Sequence, residues 1–217
     1  MPAIFDSELD SILAGTSRSF YLSLKELPKP IRKQVSLLYL LARTSDTIAD
    51  SEAGDFNTRL VSLEAFSQFS QGNSEKVPEL SELAKLQTNP SEARLLENVE
   101  QVTSGIGQFS ESDQESIRRC LSIIIGGQKQ DLERFSTPSN SIRSLEEYSE
   151  MDDYAYRVAG SVGEFWTRMS LDHQFEVDNE TENLLFEKGV RFGKALQMIN
   201  ILRDIPTDLS LGRCYIP

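Results

Sequence analysis

The sequence has very few of the residues on which several classes of site depend. Among 217 residues there are one histidine, His173, and two cysteines, Cys120 and Cys214. No zinc-binding spacing is present and no disulfide framework is suggested. A Ser-His-Asp catalytic set is not expected either, because His173 stands in the stretch Leu-Asp-His-Gln and is interpreted as a surface residue. The small number of cysteines fits a reducing cytoplasm, which is the location we expect.

Basic residues are also scarce. Lysine and arginine number 22 against 34 aspartates and glutamates, so the formal net charge is −12. Binding to nucleic acid and docking on anionic lipid through a basic patch are not expected, because both need a basic surface. An anionic substrate is not excluded, since a few arginines and a metal ion reverse the field locally.

Long apolar runs and hairpin turns are absent as well. No stretch approaches the roughly 18 apolar residues of a membrane-spanning helix, and we expect no signal peptide because the first residues are acidic and lack an apolar core. No Asn-Gly or Asp-Gly turn occurs. Hydrophobic residues make up 39% of the chain, and their helical spacing predicts an all-α protein. The length of the chain predicts a single domain over 1–217.

Glycine and proline divide the pattern into predicted helices. Pro30 favours a helix start, whereas Pro206 predicts that the last helix ends or kinks near Ile205, because proline lacks a backbone N–H and disfavours helix in the residue before it. A polar turn is expected from Thr16 to Ser19. The predicted helices are 6–14, 31–49, 55–70, 91–107, 112–134, 144–170 and 180–205, with a short one at 79–86 in the loop region 71–90.

The segment ending at Asp50 places polar residues on one face of a largely apolar helix. Four side chains recur at helical spacing: Tyr39, Arg43, Asp46 and Asp50. Two carboxylates one turn apart in apolar surroundings are costly unless a cation lies between them, and oxygen ligands suit Mg²⁺. We therefore interpret Asp46 and Asp50 as a magnesium-binding pair; the alternative is a solvated helix edge where Arg43 pairs with Asp46.

A similar spacing recurs near residue 200. The polar stripe consists of Gln197, Asn200, Asp204 and Asp208. Arg203 and Arg213 flank it, and guanidinium groups bind phosphate through paired donors. Two acidic magnesium sites on facing helices, with several arginines, would suit the ionisation of a diphosphate. Because of Pro206, Asp208 is expected on the turn after the helix. The alternative is that Asp204 and Asp208 are only capping and surface residues at the end of a helix.

Four segments together resemble the squalene/phytoene synthase family of head-to-head prenyl transferases. They stand in the family's order and span nearly the whole chain: Ser17-Arg18-Ser19-Phe20, Tyr39-x-x-x-Arg43-x-x-Asp46-x-x-x-Asp50, Tyr154-x-x-x-Val158-Ala159-Gly160-Ser161-Val162-Gly163, and Asn200-x-x-Arg203-Asp204-x-x-x-Asp208-x-x-x-Gly212-Arg213-x-Tyr215-x-Pro217. The resemblance implies an all-α isoprenoid-synthase helical bundle with a central cavity.

The resemblance also implies roles for individual residues. Tyr154 matches the tyrosine that assists the cation chemistry; the alternative is aromatic packing in the core. Mg²⁺ would be held by Asp46, Asp50, Asn200, Asp204 and Asp208, and the four aspartates would thereby be catalytic. The substrate diphosphate would be bound or surrounded by Ser17, Arg18, Ser19, Tyr39, Arg43, Arg203 and Arg213.

The implied reaction joins two allylic prenyl diphosphates. Loss of one diphosphate leaves an allylic cation, the other chain's double bond attacks it, and a cyclopropylcarbinyl diphosphate forms, which ionises again and rearranges. Squalene formation ends with reduction by NADPH, whereas phytoene or dehydrosqualene formation ends with proton loss. The Asp-Thr-Ile-Ala-Asp form of the first motif resembles squalene synthases more closely and favours farnesyl diphosphate as substrate. A lipid product suggests peripheral contact with a membrane.

Other functions remain open. A non-catalytic relative acting as an assembly protein should have lost aspartates or arginines, and head-to-tail transferases and terpene cyclases usually carry Asp-Asp-x-x-Asp, whereas Thr47 follows Asp46. A phosphatase that releases farnesol would use the same metal sites. Family members run on for several helices beyond the Tyr-x-Pro segment, so we expect this chain to be a fragment or a short relative that lacks them.

Overall fold

The computed structural model describes residues 5–17, 20–51, 55–135 and 142–217. Nearly all of this part is helical, which confirms the predicted all-α class. None of the helices in these ranges is long and apolar enough to cross a membrane. The helices are α1 (Ser7–Ser17), α2 (Phe20–Glu26), α3 (Lys29–Ala49), α4 (Phe56–Gln71), α5 (Ser81–Lys85), α6 (Pro90–Glu97), α7 (Val99–Ser104), α8 (Glu111–Phe135), α9 (Tyr148–Ala155), α10 (Ser161–His173) and α11 (Asn179–Ser210).

Four short elements complete the description. A 3₁₀ turn, Gly105–Gln108, follows α7, and a π-helical segment, Tyr156–Gly160, joins α9 to α10. The two-residue strands β1 (Arg143–Ser144) and β2 (Arg213–Cys214) pair in parallel. The chain divides into two compact units, Met1–Ile125 and Gly126–Pro217, and the boundary falls inside α8.

The first unit is organised around α3. Pro30 lies in the first turn of this helix, as predicted, where its missing N–H costs nothing. The apolar face of α3 is fully buried at Leu37, Leu40 and Leu41, and the helix packs against α4, α6 and α7. This packing holds the polar stripe of α3 at the edge of the unit's core.

The second unit is organised around α11, which packs along α10 and the π-helical segment. Glycines permit this close approach: a Cβ added at Gly193 would lie 2.2 Å from the Ala159 carbonyl oxygen, and one at Gly163 would lie 2.0 Å from the Gly189 oxygen. A small core cluster of Leu145, Ile201 and Tyr215 lies in the same unit.

Some predicted boundaries are wrong. The predicted helix 91–107 is divided into α6, α7 and the 3₁₀ turn, because the backbone leaves helical geometry at Asn98, whose side-chain amide donates to the Arg94 carbonyl at 2.8 Å. Helix α2 was not predicted; it has only seven residues and buries only Leu24, so it is too short to show a helical period. Thr16 and Ser17, predicted in a turn, belong to α1.

The prediction that the last helix ends near Ile205 is wrong, because α11 continues through Pro206 to Ser210. The alternative, a kink near Ile205, stays a prediction. Proline removes a single backbone donor, and Pro206 and Leu202, one turn earlier, are both exposed. Water can therefore bind the Leu202 carbonyl that has lost its helical partner. Asp208 consequently lies on the helix itself rather than on a turn after it.

Candidate active site

The first aspartate pair lies at the C-terminal end of α3. Asp46 is half-buried in the last turn, and the exposed Asp50 ends the helix, with its backbone N–H donating to the Asp46 carbonyl at 2.8 Å. The last turn of α3 contains no basic residue. Carboxylates at the negative end of a helix dipole are unfavourably placed, so this end favours a cation.

Arg43 and Tyr39 precede the pair on the same helix. Arg43 Nη2 lies 2.5 Å from Glu92 Oε1 of α6, and only 17% of the Glu92 side chain is exposed. Burial acts to lower the pKa of Arg43, but the hydrogen bond and charge of Glu92, with the charge of Asp46, leave it above its ordinary value. Tyr39 donates its hydroxyl to the Thr16 carbonyl at 3.2 Å. Glu92 therefore orients the Arg43 guanidinium, which is also influenced by the charge of Asp46.

The serine-arginine-serine segment is only partly described. Ser17 is buried in the last turn of α1, where its hydroxyl donates to the Leu13 carbonyl. Arg18 and Ser19 lie outside the described residues. Binding of diphosphate by Ser17, Arg18 and Ser19 stays a prediction.

The second aspartate motif lies on α11. Arg203 donates from Nε to Asp204 Oδ1 at 2.8 Å and from Nη2 to Oδ2 at 2.6 Å, so the guanidinium binds both carboxylate oxygens. The hydrogen bond from Arg203 lowers the pKa of Asp204. Asn200, one turn earlier, donates to Gln197 Oε1 at 3.3 Å. The structure thus brings together the predicted Arg203 and Asp204.

Asp208 binds the other predicted arginine of this motif. Its side chain is 11% exposed, and Oδ1 accepts from Arg213 Nε at 2.7 Å. Burial acts to lower the pKa of Arg213, but Tyr215, Asp208 and Asp131 together raise it above its ordinary value.

A turn after α11 makes this contact possible. Gly212 has φ +77°, a conformation that favours glycine, and it turns the chain so that β2 begins at Arg213. The Gly212 carbonyl accepts from the Arg143 N–H at 2.9 Å and the Cys214 carbonyl from the Leu145 N–H at 3.1 Å. The backbone of Arg213 is thereby fixed on both sides.

Tyr154 lies in α9 and stacks on Tyr215, with ring centroids 4.6 Å apart and an interplanar angle of 19°. The Tyr215 hydroxyl donates to Asp131 Oδ2 of α8 at 2.8 Å. Tyr215 stands in the last motif of the sequence, but the sequence indicates no role for it or for Asp131. Their contact joins positions 84 residues apart, so no local pattern indicates it.

The donor set fits Mg²⁺ in its chemistry. Each motif offers hard carboxylate oxygens one turn apart, and Asn200 adds an amide oxygen. Within the described ranges, no three or more His, Cys, Asp or Glu side chains cluster closely enough to hold a metal by themselves. That is compatible with Mg²⁺, which commonly uses one or two carboxylates together with water and substrate phosphates.

Comparisons with known proteins agree with the fold and the motifs. The family model described as squalene/phytoene synthase matches residues 13–217. A bifunctional lycopene cyclase/phytoene synthase from Blakeslea trispora is 29% identical over an alignment of 217 positions. This alignment covers 95% of this chain and 31% of the relative. A squalene synthase from Yarrowia lipolytica is 26% identical over 206 residues, covering 95% of this chain and 44% of the relative. The chain thus spans less than half of the length of these relatives.

Solved structures show the same fold. Two ligand complexes of the squalene synthase TcSQS superpose with TM-scores of 0.70 and 0.72 at 23% and 22% identity. They cover 94% and 98% of this chain, which corresponds to 55% and 58% of the solved chains. Together with the family match over residues 13–217, these findings show that the chain belongs to the squalene/phytoene synthase family, whose members are prenyltransferases.

Proposed function

We propose that this protein catalyses the magnesium-dependent head-to-head condensation of two prenyl diphosphates, with both units acting as one isoprenoid-synthase domain. The observation that carries the proposal is the pair of Asp-x-x-x-Asp motifs, each on a helix and each accompanied by arginine, in a chain matched by the family model from 13 to 217. The wider comparisons support this reaction class for the family and leave the product open.

In this proposal the carboxylates hold Mg²⁺ at the substrate diphosphates. Asp46 and Asp50 form one site, and Asn200, Asp204 and Asp208 form the other. The metal ion, when bound, stabilises negative charge on the departing diphosphate. The negative helix end at Asp50 favours a cation there before any substrate binds.

The arginines allow an anionic substrate to approach an acidic protein. Arg203 and Arg213 partly neutralise Asp204 and Asp208, which lessens the repulsion that a diphosphate would meet in a chain of net charge −12. A guanidinium fork also matches phosphate oxygens. We propose that Arg203 and Arg213, with Arg43, contact the diphosphate, and that Tyr154 assists the cation chemistry.

The product follows from how the last cation is quenched. Reduction by NADPH gives squalene from farnesyl diphosphate, and loss of a proton gives phytoene or dehydrosqualene. The Asp-Thr-Ile-Ala-Asp motif favours squalene, whereas several relatives in the comparison are phytoene synthases fused to lycopene cyclases. Both products leave an apolar lipid, so we also propose peripheral contact with a membrane.

The decisive experiment incubates full-length protein with farnesyl or geranylgeranyl diphosphate and Mg²⁺, with and without NADPH, and identifies the products by mass spectrometry. Squalene that forms only with NADPH supports squalene synthesis. Phytoene or dehydrosqualene that forms without NADPH supports the alternative product. Farnesol alone would indicate a phosphatase, and the absence of both product and Mg²⁺ binding would indicate a non-catalytic assembly protein.

A further inference from the structure

Tyr215 is held in place by a hydrogen bond and by two aromatic rings. It is 6% exposed, and its hydroxyl donates to Asp131 Oδ2 at 2.8 Å. Phe135 meets it edge-on at 5.3 Å between ring centroids, and Tyr154 stacks on it at 4.6 Å. A ring with these three contacts has little freedom to move.

The same ring lies beside the second aspartate motif. The guanidinium carbon of Arg213 is 5.9 Å from the Tyr215 ring centroid, and Arg213 binds Asp208 through Nε. Tyr215 therefore contacts both the tyrosine proposed to assist the cation and the arginine proposed to contact diphosphate. All of these residues lie in the second unit.

We propose that Asp131 and Tyr215 are positioning residues, which together fix the ring of Tyr154 and the guanidinium of Arg213 for the reaction. This inference rests on the proposed prenyl diphosphate chemistry. Neither residue needs to touch the substrate. A phenol that donates to a carboxylate makes a short, charge-assisted hydrogen bond, which suits a group whose purpose is to hold an orientation.

The environment keeps Tyr215 in the donor form. Burial, with the nearby Tyr154 and Asp131, raises the pKa of Tyr215 well above its ordinary value. Its hydroxyl therefore keeps its proton throughout the neutral pH range and continues to donate to Asp131.

The first test compares variants by turnover. Tyr215→Phe keeps the ring and its stacking but removes the hydroxyl, and we expect kcat to fall about tenfold to a hundredfold while KM changes less than about threefold. Asp131→Asn, which keeps an acceptor oxygen, should retain more activity than Asp131→Ala. Tyr148→Phe is the matched control, because Tyr148 lies in the same unit and is 71% exposed.

The second test measures the position of Tyr154 without any substrate. In protein labelled with ¹³C-tyrosine, stacking on Tyr215 should shift the ring signal of Tyr154 upfield, with the assignment made by Tyr154→Phe. Tyr215→Leu should remove that shift, whereas Tyr215→Phe should keep it. A Tyr154 signal that is unchanged in Tyr215→Leu would overturn the inference.

The two tests separate this inference from the proposed function. An active protein in which Tyr215→Phe and Asp131→Ala both keep full kcat overturns the positioning role and leaves the function standing. A protein without prenyl transfer overturns the function and the catalytic part of the inference, and the nuclear magnetic resonance shift then decides the structural part. If Tyr215→Phe fails to fold, the comparison of Asp131→Asn with Asp131→Ala decides.

Discussion

At the scale of single residues, both aspartate motifs place an acid beside an arginine. Asp204 and Asp208 each bind an arginine, and the charge of Asp46 contributes to the raised pKa of Arg43. Asp50 ends α3, where the negative end of the helix dipole favours a cation.

Single substitutions test these carboxylates. Asp46→Asn and Asp204→Asn should each lower kcat by about a hundredfold or more, because an amide is a neutral and weaker ligand for Mg²⁺. Circular dichroism should show an unchanged helical content. Asp178→Asn is the matched control: Asp178 caps α11 by accepting from the Thr181 N–H at 2.7 Å, and asparagine caps a helix equally well. Unchanged turnover in either site variant would refute its metal role.

At the scale of elements, α11 and the π-helical segment lie so close that a Cβ added at Gly193 would meet the Ala159 carbonyl oxygen. The extra residue in a π-helical turn widens the helix locally, and such segments are frequent at functional sites. This segment begins two residues after Tyr154, so its packing on α11 also sets where Tyr154 lies relative to Asp204 and Asp208 in the second unit.

The substitution Gly193→Ala tests this packing. The new Cβ would lie 2.2 Å from the Ala159 carbonyl oxygen, so α11 or the π-helical segment must move. We expect a loss of stability of about 1–3 kcal/mol and a melting temperature lower by roughly 2–10 °C. Gly107→Ala is the control, because nothing lies within 4 Å of its added Cβ. Equal melting temperatures for Gly193→Ala and the wild-type protein, measured by calorimetry, would contradict the close contact.

At the scale of the whole molecule, the net charge of −12 opposes the binding of an anionic substrate. Mg²⁺ and diphosphate are therefore expected to bind together, each lowering the cost of the other.

Thermal unfolding should reveal the coupling. Mg²⁺ with inorganic pyrophosphate should raise the melting temperature by about 5 °C or more at concentrations far above Kd. Pyrophosphate without Mg²⁺ should have little effect, and a chelator should reverse the shift. The Asp46→Asn variant should shift less than the wild-type protein. A full shift with pyrophosphate alone would contradict a metal-bridged complex.

The sequence predicted most of the helices for local reasons. Apolar periodicity and proline placement locate α3 and α4 to within about two residues, within the usual uncertainty of helix ends, because each depends on a few neighbouring side chains. The predicted helix end near Ile205 is wrong because a local rule counts the hydrogen bond lost at Pro206 but does not include the exposure of Pro206 and Leu202 to water. The end of a helix is decided by solvent and packing as well as by propensity.

What the sequence by itself determined is the all-α class and the family, since both depend on spacing and residue type. It also indicated the residues that we propose carry the chemistry. Only the tertiary structure decided which partner each of these residues has. The turns and the packing of the chain determine three such partners: Glu92 for Arg43, Arg213 for Asp208, and Asp131 for Tyr215. Glu92 and Asp131 are far from their partners in sequence, and folding alone brings such groups together, so no periodic pattern could have shown them.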